Sequence, residues 1–191
     1  MKKRIFAVFT LICVAVLSLL CSCGGKISEQ EAKEQVRKLV KESYHLNVIF
    51  FGDGLPFEKD EDDNSLYSPV SQDALYQTKD ELAKKTREIF SQSYATSMLT
   101  TAFNGVTGAD GVSAVYARYI VNSDGKISVY ENIKSIVEGD IATYYLTDDA
   151  IKITKISKRF VQANIKTEKG DAVSVTLVKE SDGWRIDSAT Y

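Results

Sequence analysis

A cluster of acidic residues is the strongest candidate for metal chemistry in this sequence. It comprises Glu58, Asp60, Glu61, Asp62 and Asp63. The spacing Asp60-x-Asp62-x-Asn64 matches the first three ligand positions of an EF-hand calcium loop. The match ends there, because Ser65 replaces the required glycine and Ser71 the bidentate glutamate. Three interpretations of this acidic loop (residues 57–71) stay open: a weak calcium site, a solvated loop, or a loop that contacts a protein partner.

The sequence contains few residues that are suited to catalysis. His45 is the only histidine, and it falls in a predicted helix with no nucleophile motif nearby. A Ser-His-Asp or Cys-His mechanism would need it as the base, so we interpret it as a solvent-facing or packing residue. An acid or base in a cavity is the enzymatic alternative, with Glu131 and Asp187 as candidates. We predict no catalytic residue and no cofactor.

Strand alternation predicts where Asp187 points. Trp184 and Ile186 should share the core face of the last strand, which leaves Arg185 and Asp187 on the opposite face. We therefore expect Asp187 to pair with Arg185 or a lysine, and not with a substrate.

The amino-terminal segment has the pattern of an export signal. Lys2, Lys3 and Arg4 precede the apolar run from Ile5 to Leu20. That run is shorter than the ~20 apolar residues of a membrane-spanning helix. An uncleaved amino-terminal anchor is the alternative.

Cys21 and Cys23 end this segment. They are too close in sequence for an ordinary disulfide. A metal site is disfavoured because the remaining cysteine, Cys13, lies within the apolar run and His45 is the only histidine.

The order Leu20-Cys21-Ser22-Cys23 resembles the lipobox of bacterial lipoproteins, although Cys21 is unusual at its second position. The resemblance implies that signal peptidase II cuts between Ser22 and Cys23, and that Cys23 then carries diacylglyceryl and palmitate-type acyl chains. Two chains, at about 0.8 kcal/mol per buried methylene, form a stable anchor. The protein would then be held on the outer face of the cytoplasmic membrane.

Three segments follow from this interpretation: residues 1–22 as signal peptide, 23–27 as lipidated cysteine and tether, and 28–191 as one domain. Of 24 Lys and Arg residues the signal removes three, leaving 21 against 26 Asp and Glu, a net charge near −5. A nucleic-acid partner is therefore not expected. The sequence has no basic amphipathic stretch, so no further contact with the membrane is predicted.

Helices are predicted in the first half of the domain. Ser28 and Glu31 form a capping box for a helix from Glu29 to Phe51, which Gly52-Asp53-Gly54 ends. Thr78 and Glu81 start a second helix in the same way. A third begins at Ser93 and ends at Asn104.

Strands dominate the second half. The period changes to two near Val112, and the turn 122–125 joins this strand to Lys126–Tyr130. A short strand is predicted at Leu66–Val70, where Pro69 limits its pairing. Residues 106–111 are predicted as a loop, and for residues 133–146 a short helix and a short strand are both open. Four further strands are predicted at Ile151–Ile156, Phe160–Thr167, Ala172–Lys179 and Trp184–Ser188.

This order predicts an α+β cone, with the amino-terminal helices packed on a curved antiparallel sheet of about five or six strands. The ending TLVKESDGWRIDSATY resembles that of NTF2-like (cystatin-like) domains. The segments TKDELAKKTREIFSQSYATSML and ARYIVNSDGKISVYEN are similar to the secreted peptidoglycan DL-endopeptidase inhibitor family. That resemblance implies an exported, non-enzymatic regulator of cell-wall hydrolases, and it transfers no inhibitory residue.

The sequence therefore supports three hypotheses about function. The first is a membrane-anchored binding protein that occludes the cleft of a cell-envelope enzyme, with the acidic loop as contact. The second is a small-ligand receptor that uses the cavity of the cone. The third is a hydrolase or isomerase with a carboxyl group in that cavity, which would need a raised pKa.

Overall fold

The computed structural model describes residues 26–59, 65–107, 114–133 and 141–191. The expected cleavage and lipidation site at Ser22 and Cys23 lies outside these ranges. So do the acidic-loop residues Asp60, Asp62, Asp63 and Asn64. In the described ranges, no helix is both long and apolar enough to cross a membrane.

Three helices precede most of the strands: α1 (Glu29–Phe51), α2 (Lys79–Ile89) and α3 (Gln92–Asn104). Both predicted capping boxes are confirmed, since Ser28 and Thr78 each exchange hydrogen bonds with the glutamate three residues on. α3 starts earlier than expected. Ser91, and not Ser93, caps it by accepting a hydrogen bond from the Tyr94 backbone N–H at 3.2 Å.

In the described part of the chain, nine strands make up three antiparallel groups. The first elements are β1 (Tyr67–Pro69), β2 (Val106–Thr107), β3 (Ala114–Val115), β4 (Tyr119–Val121) and β5 (Ile127–Tyr130). They are followed by β6 (Ile151–Ile156), β7 (Phe160–Lys166), β8 (Ala172–Glu180) and β9 (Gly183–Ile186). The sheets have the orders β1-β5-β4, β2-β3 and β6-β7-β8-β9.

The expected α+β fold, with helices packed on curved antiparallel sheet, is confirmed. The strands are divided between a four-stranded and a three-stranded sheet, and the predicted loop 106–111 begins with β2. The long predicted strand after Val112 is interrupted, because β3 pairs with β2 whereas β4 pairs with β5. The last strand ends at Ile186, two residues before the predicted end.

The four-stranded sheet packs its inner face on α1. Apolar residues of this face are fully buried, and alternating polar residues such as Asn164 and Ser174 are exposed on the other face. The inner set includes Ile151, Val161, Ala163, Ile165, Val175, Leu177 and Ile186. This period-two pattern is what a sheet covered on one side requires.

α1 joins two regions of the molecule. Its first turns pack near β6, where Arg37 donates a hydrogen bond from Nε to the carbonyl oxygen of Leu146 at 2.7 Å. Its last turn meets the three-stranded sheet, where buried Arg118 donates to the carbonyl oxygen of Gly52. At 1.5 Å per residue, the 23 residues of α1 extend about 34 Å.

Candidate functional site

Three tyrosines meet on the outer face of the three-stranded sheet. Tyr67 and Tyr130 are directly opposite in the β1–β5 ladder, and their ring centroids are 5.5 Å apart. Tyr116, just before β4, stacks on Tyr130 with a centroid distance of 5.0 Å and an interplanar angle of 19°. We call Tyr67, Tyr116 and Tyr130 the tyrosine patch.

Strand alternation places this patch outside the core. Val129 and Tyr119 face each other in the β4–β5 ladder and are fully buried. Successive side chains of a strand point to opposite faces, so Tyr130 points away from that core. The sheet register therefore positions Tyr67 and Tyr130, whereas exposed Tyr116 comes from the segment between β3 and β4.

The rings are held in place and partly accessible. The Tyr67 hydroxyl donates a hydrogen bond to the carbonyl oxygen of Ala117 at 2.9 Å. Tyr130 is nearly buried, whereas Tyr116 is 54% exposed and neighbouring Leu66 is 48% exposed. Burial raises the pKa of Tyr67, and the neighbouring hydroxyls of Tyr130 and Tyr116 add to this. Tyr67 thus keeps its proton, and the patch offers apolar ring surface, most of it on Tyr116.

An ion pair fixes the base of the acidic loop beside the patch. The Glu131 carboxylate accepts a hydrogen bond from Ser68 Oγ at 2.5 Å and lies 2.9 Å from Lys59 Nζ. These bonds, that from Lys59 first, hold the pKa of Glu131 below its ordinary value. Glu131 is thus an ionised structural group, which argues against the role of a cavity acid.

The far end of the acidic loop is also anchored. Ser65 Oγ donates a hydrogen bond to the carbonyl oxygen of Tyr67 at 2.8 Å and accepts one from its N–H at 3.2 Å. The Glu58 N–H donates to the carbonyl oxygen of Pro69 at 3.1 Å. Both described ends of the loop therefore leave the sheet next to Tyr67.

Asp187 does not have the expected partner. Its side chain accepts hydrogen bonds from Ser91 Oγ and, at 3.3 Å, from Ser93 Oγ. Arg185 instead reaches back across the β8–β9 turn, where its Nη2 lies 2.7 Å from Asp182 Oδ2. The expected pairing of Asp187 with Arg185 or a lysine was therefore wrong, because the turn provides a nearer carboxylate for Arg185.

The exposure of His45 and the burial of the core face of the last strand agree with the predictions from the sequence. His45 is exposed on α1, with its ring 6.3 Å from that of Tyr76. Trp184 and Ile186 are both buried, as alternation predicted.

The concave side of the four-stranded sheet is filled by the protein's own side chains. Val161, Ala163 and Leu177 have no exposed surface. Where a shift in the pKa of a described carboxyl group is resolved, at Glu31, Glu81, Glu131 and Asp149, the pKa is lowered. Neither observation supports a ligand cavity with a raised-pKa acid.

Across the described residues, no group of three or more His, Cys, Asp or Glu side chains could hold a metal ion. The calcium interpretation rests on residues 60–64, which lie outside those ranges, and it stays a prediction.

Comparison with known proteins adds no assignment. No protein-family model matches the chain, and no curated protein matches it as a relative. The function must therefore be argued from the residues themselves.

The tyrosine patch and Lys59 were missed by sequence reasoning. The sequence contains ten tyrosines, a composition that suits partner surfaces but is equally that of ordinary strands. Strand alternation predicts that the side chains of Tyr130 and Val129 point to opposite faces of the sheet. Nothing local in the sequence indicates that Tyr67 is its ladder partner.

Proposed function

We propose that this protein is a lipoprotein held by Cys23 on the outer face of the cytoplasmic membrane, where it binds a protein of the cell envelope. The partner class we infer is a cell-wall hydrolase, which the protein would inhibit by covering its cleft. The lipobox-like sequence and the resemblance to the endopeptidase inhibitor family support these two points. The tyrosine patch is the single structural observation that carries the binding role.

The patch has the composition of a protein-binding surface. Tyrosine is enriched at interfaces because it contributes a large apolar ring and a polar tip at a low cost in conformational entropy. Tyr130 and the Tyr67–Ala117 hydrogen bond hold the rings in position before a partner arrives. Pre-organised aromatic side chains are the common energetic centres of such interfaces.

The acidic loop gives this surface a charge. Lys59 and Ser65, the described residues on either side of its acidic centre, are bound beside Tyr67 through Glu131 and the Tyr67 backbone, and we propose that the loop meets the same partner as the patch. Acidic side chains at the rim of an interface accelerate association with a basic surface more than they increase final affinity. We therefore assign capture to the loop and affinity to the tyrosine patch.

Pull-down with matched variants tests the proposal. Residues 24–191 are immobilised and exposed to cell-wall extract of the source organism, and eluted proteins are identified by mass spectrometry. Tyr116→Ala should lose the partner. Tyr145→Ala, which removes a tyrosine of similar exposure (50%) elsewhere on the surface, should retain it.

The identity of the captured protein decides between the roles. Recovery of a peptidoglycan hydrolase whose activity falls when the domain is added supports inhibition. Capture of a hydrolase without loss of activity would leave a binding role and contradict the inhibitory one. Equal capture by Tyr116→Ala and the wild type would remove the tyrosine patch from the interface.

A further inference from the structure

The segment that enters the fold from the tether lies along an open sheet edge. β6 is the edge strand of the four-stranded sheet, hydrogen-bonded only to β7 within it. Lys26 and Ile27 form a shallow groove with Ile153, Lys155 and Ile156 of that strand. We call this groove, together with exposed Lys152, Lys158 and Arg159, the basic edge.

The tether keeps the basic edge near the point of lipidation. Three Cα–Cα steps separate Cys23 from Lys26, and even a fully extended chain spans only about 11 Å over that distance. If Cys23 carries the lipid, as the proposed function requires, the groove lies within that distance of the headgroups. The rest of the domain can turn about this point, so a further interaction is needed to define its orientation.

The charge of the basic edge suits an anionic surface. Lys26, Lys152, Lys155, Lys158 and Arg159 are all exposed, on a mature chain whose net charge is near −5 (21 basic against 26 acidic residues). Glu29 also lines the groove and its side chain is 68% exposed, but it lies 3.6 Å from Lys33. Glu31 caps the start of α1, and the exposed basic residues outnumber these two carboxylates.

Apolar groups lie between these cations. Ile27, Ile153 and Ile156 are half-buried and line the groove. Long basic side chains beside apolar groups suit a bilayer interface, because the methylene stems lie along apolar surface while the charged ends reach the headgroups. Lysines on an edge strand also prevent pairing with other strands, but that role does not explain why the tether enters here.

We propose that the basic edge lies flat against anionic phospholipid headgroups and fixes the orientation of the anchored domain. This inference rests on the lipidation of Cys23 in the proposed function. It adds a second contact with the membrane, built from two separate segments of the chain, which no linear stretch of the sequence indicates.

The test uses the full mature lipoprotein in vesicles. A single cysteine is introduced at exposed Thr154 on β6, or at exposed Ser123 in the β4–β5 turn, and is labelled with a fluorophore. Vesicles contain phosphatidylcholine alone or with phosphatidylglycerol, and carry a headgroup quencher. We expect stronger quenching at position 154 than at 123, and a difference that grows when phosphatidylglycerol is present, because the tether alone already keeps position 154 near the headgroups.

Charge variants supply the control. Lys152→Gln, Lys155→Gln and Lys158→Gln together should remove the increase in that difference caused by phosphatidylglycerol, and a wild-type difference that does not depend on phosphatidylglycerol would overturn the basic edge. In the unlipidated chain the three substitutions should weaken binding to anionic vesicles at least tenfold, since each basic residue adds a several-fold factor. The same change at exposed Lys38, Lys41 and Lys84 should have little effect.

The outcomes separate this inference from the proposed function. Intact mass shows whether Cys23 is lipidated. A lipidated protein with equal quenching at both positions would overturn the basic edge and leave the anchor intact. If Cys23 carries no lipid, the anchor fails. Sedimentation of that protein with anionic vesicles then tests the basic edge by itself. Binding by the wild type that is lost when Lys152, Lys155 and Lys158 are changed to Gln supports the basic edge, and absence of binding by the wild type overturns it.

Discussion

The hydroxyl of Tyr119 donates a hydrogen bond to the carbonyl oxygen of Ile49 at 2.7 Å. The same oxygen atom of Tyr119 accepts a hydrogen bond from the Leu55 N–H at 3.2 Å. The last four carbonyl groups of a helix have no partner within it, and Ile49 is one of these. Tyr119 therefore ties β4, and with it the sheet that carries the tyrosine patch, to the end of α1.

Tyr119→Phe should destabilise the fold by about 1–3 kcal/mol, because it leaves buried backbone groups of Ile49 and Leu55 without this partner. Urea unfolding followed by circular dichroism measures the change. Tyr145→Phe is the control, since Tyr145 is half exposed. Equal stability of Tyr119→Phe and the wild type would show that these two hydrogen bonds contribute nothing net.

Stability should fall between about pH 10 and pH 12. Burial raises the pKa of Tyr119 from 10.0 to about 12, so the folded state keeps a proton that the unfolded state loses. The stabilisation is complete below pH 10 and is lost as the pH rises towards 12, by about 2–3 kcal/mol. Tyr119→Phe should make the fall shallower by that amount. A parallel curve for the variant would contradict the raised pKa.

The carboxyl terminus should be a stability element. Asn47 Nδ2 donates hydrogen bonds to Thr190 at its carbonyl oxygen (2.6 Å) and Oγ1 (2.9 Å), and both residues are buried. Thr190→Val removes one of these acceptors and leaves the amide partly unpaired, at a cost of about 1–3 kcal/mol. Thr154→Val, at an exposed position of β6, should cost much less in the same unfolding experiment. Similar losses in both variants would contradict a specific role for Asn47.

The acidic loop should act through its charge. Asp60, Asp62 and Asp63 changed together to Ser should slow association with the partner, and the difference from the wild type should shrink as salt rises. Surface plasmon resonance at two salt concentrations measures both rates. A control that neutralises exposed Glu34, Glu42 and Asp171 removes the same number of charges elsewhere. An unchanged association rate would exclude the loop from capture.

Local signals in the sequence were sufficient for the helices. Both bounds of α1 were predicted, because a capping box starts it and Gly52 and Gly54 follow its end. The start of α3 was placed at Ser93, since two serines offer the same capping chemistry. Ser91 caps the helix and also donates a hydrogen bond to Asp187, a residue that is brought near only when the chain folds.

The tyrosine patch could not be predicted in the same way. Tyr67 and Tyr130 pair across a ladder between β1 and β5, and the helices α2 and α3 lie between them in sequence. A shift of that register by one residue would turn one ring towards the core. In that ladder Val129 lies opposite Ser68 and both are buried, so the register depends on packing that only the whole fold provides.

The length of α1 has a consequence for the choice of partner. Its first turn lies at the end of the molecule that the lipid would hold, and its last turn supports the sheet with the tyrosine patch. If Cys23 carries the lipid, this rigid helix of about 34 Å and the short tether together limit the height of the patch above the bilayer. An enzyme whose cleft lies well above that height would escape, however well its surface matched. Distance from the membrane would then select targets alongside shape and charge.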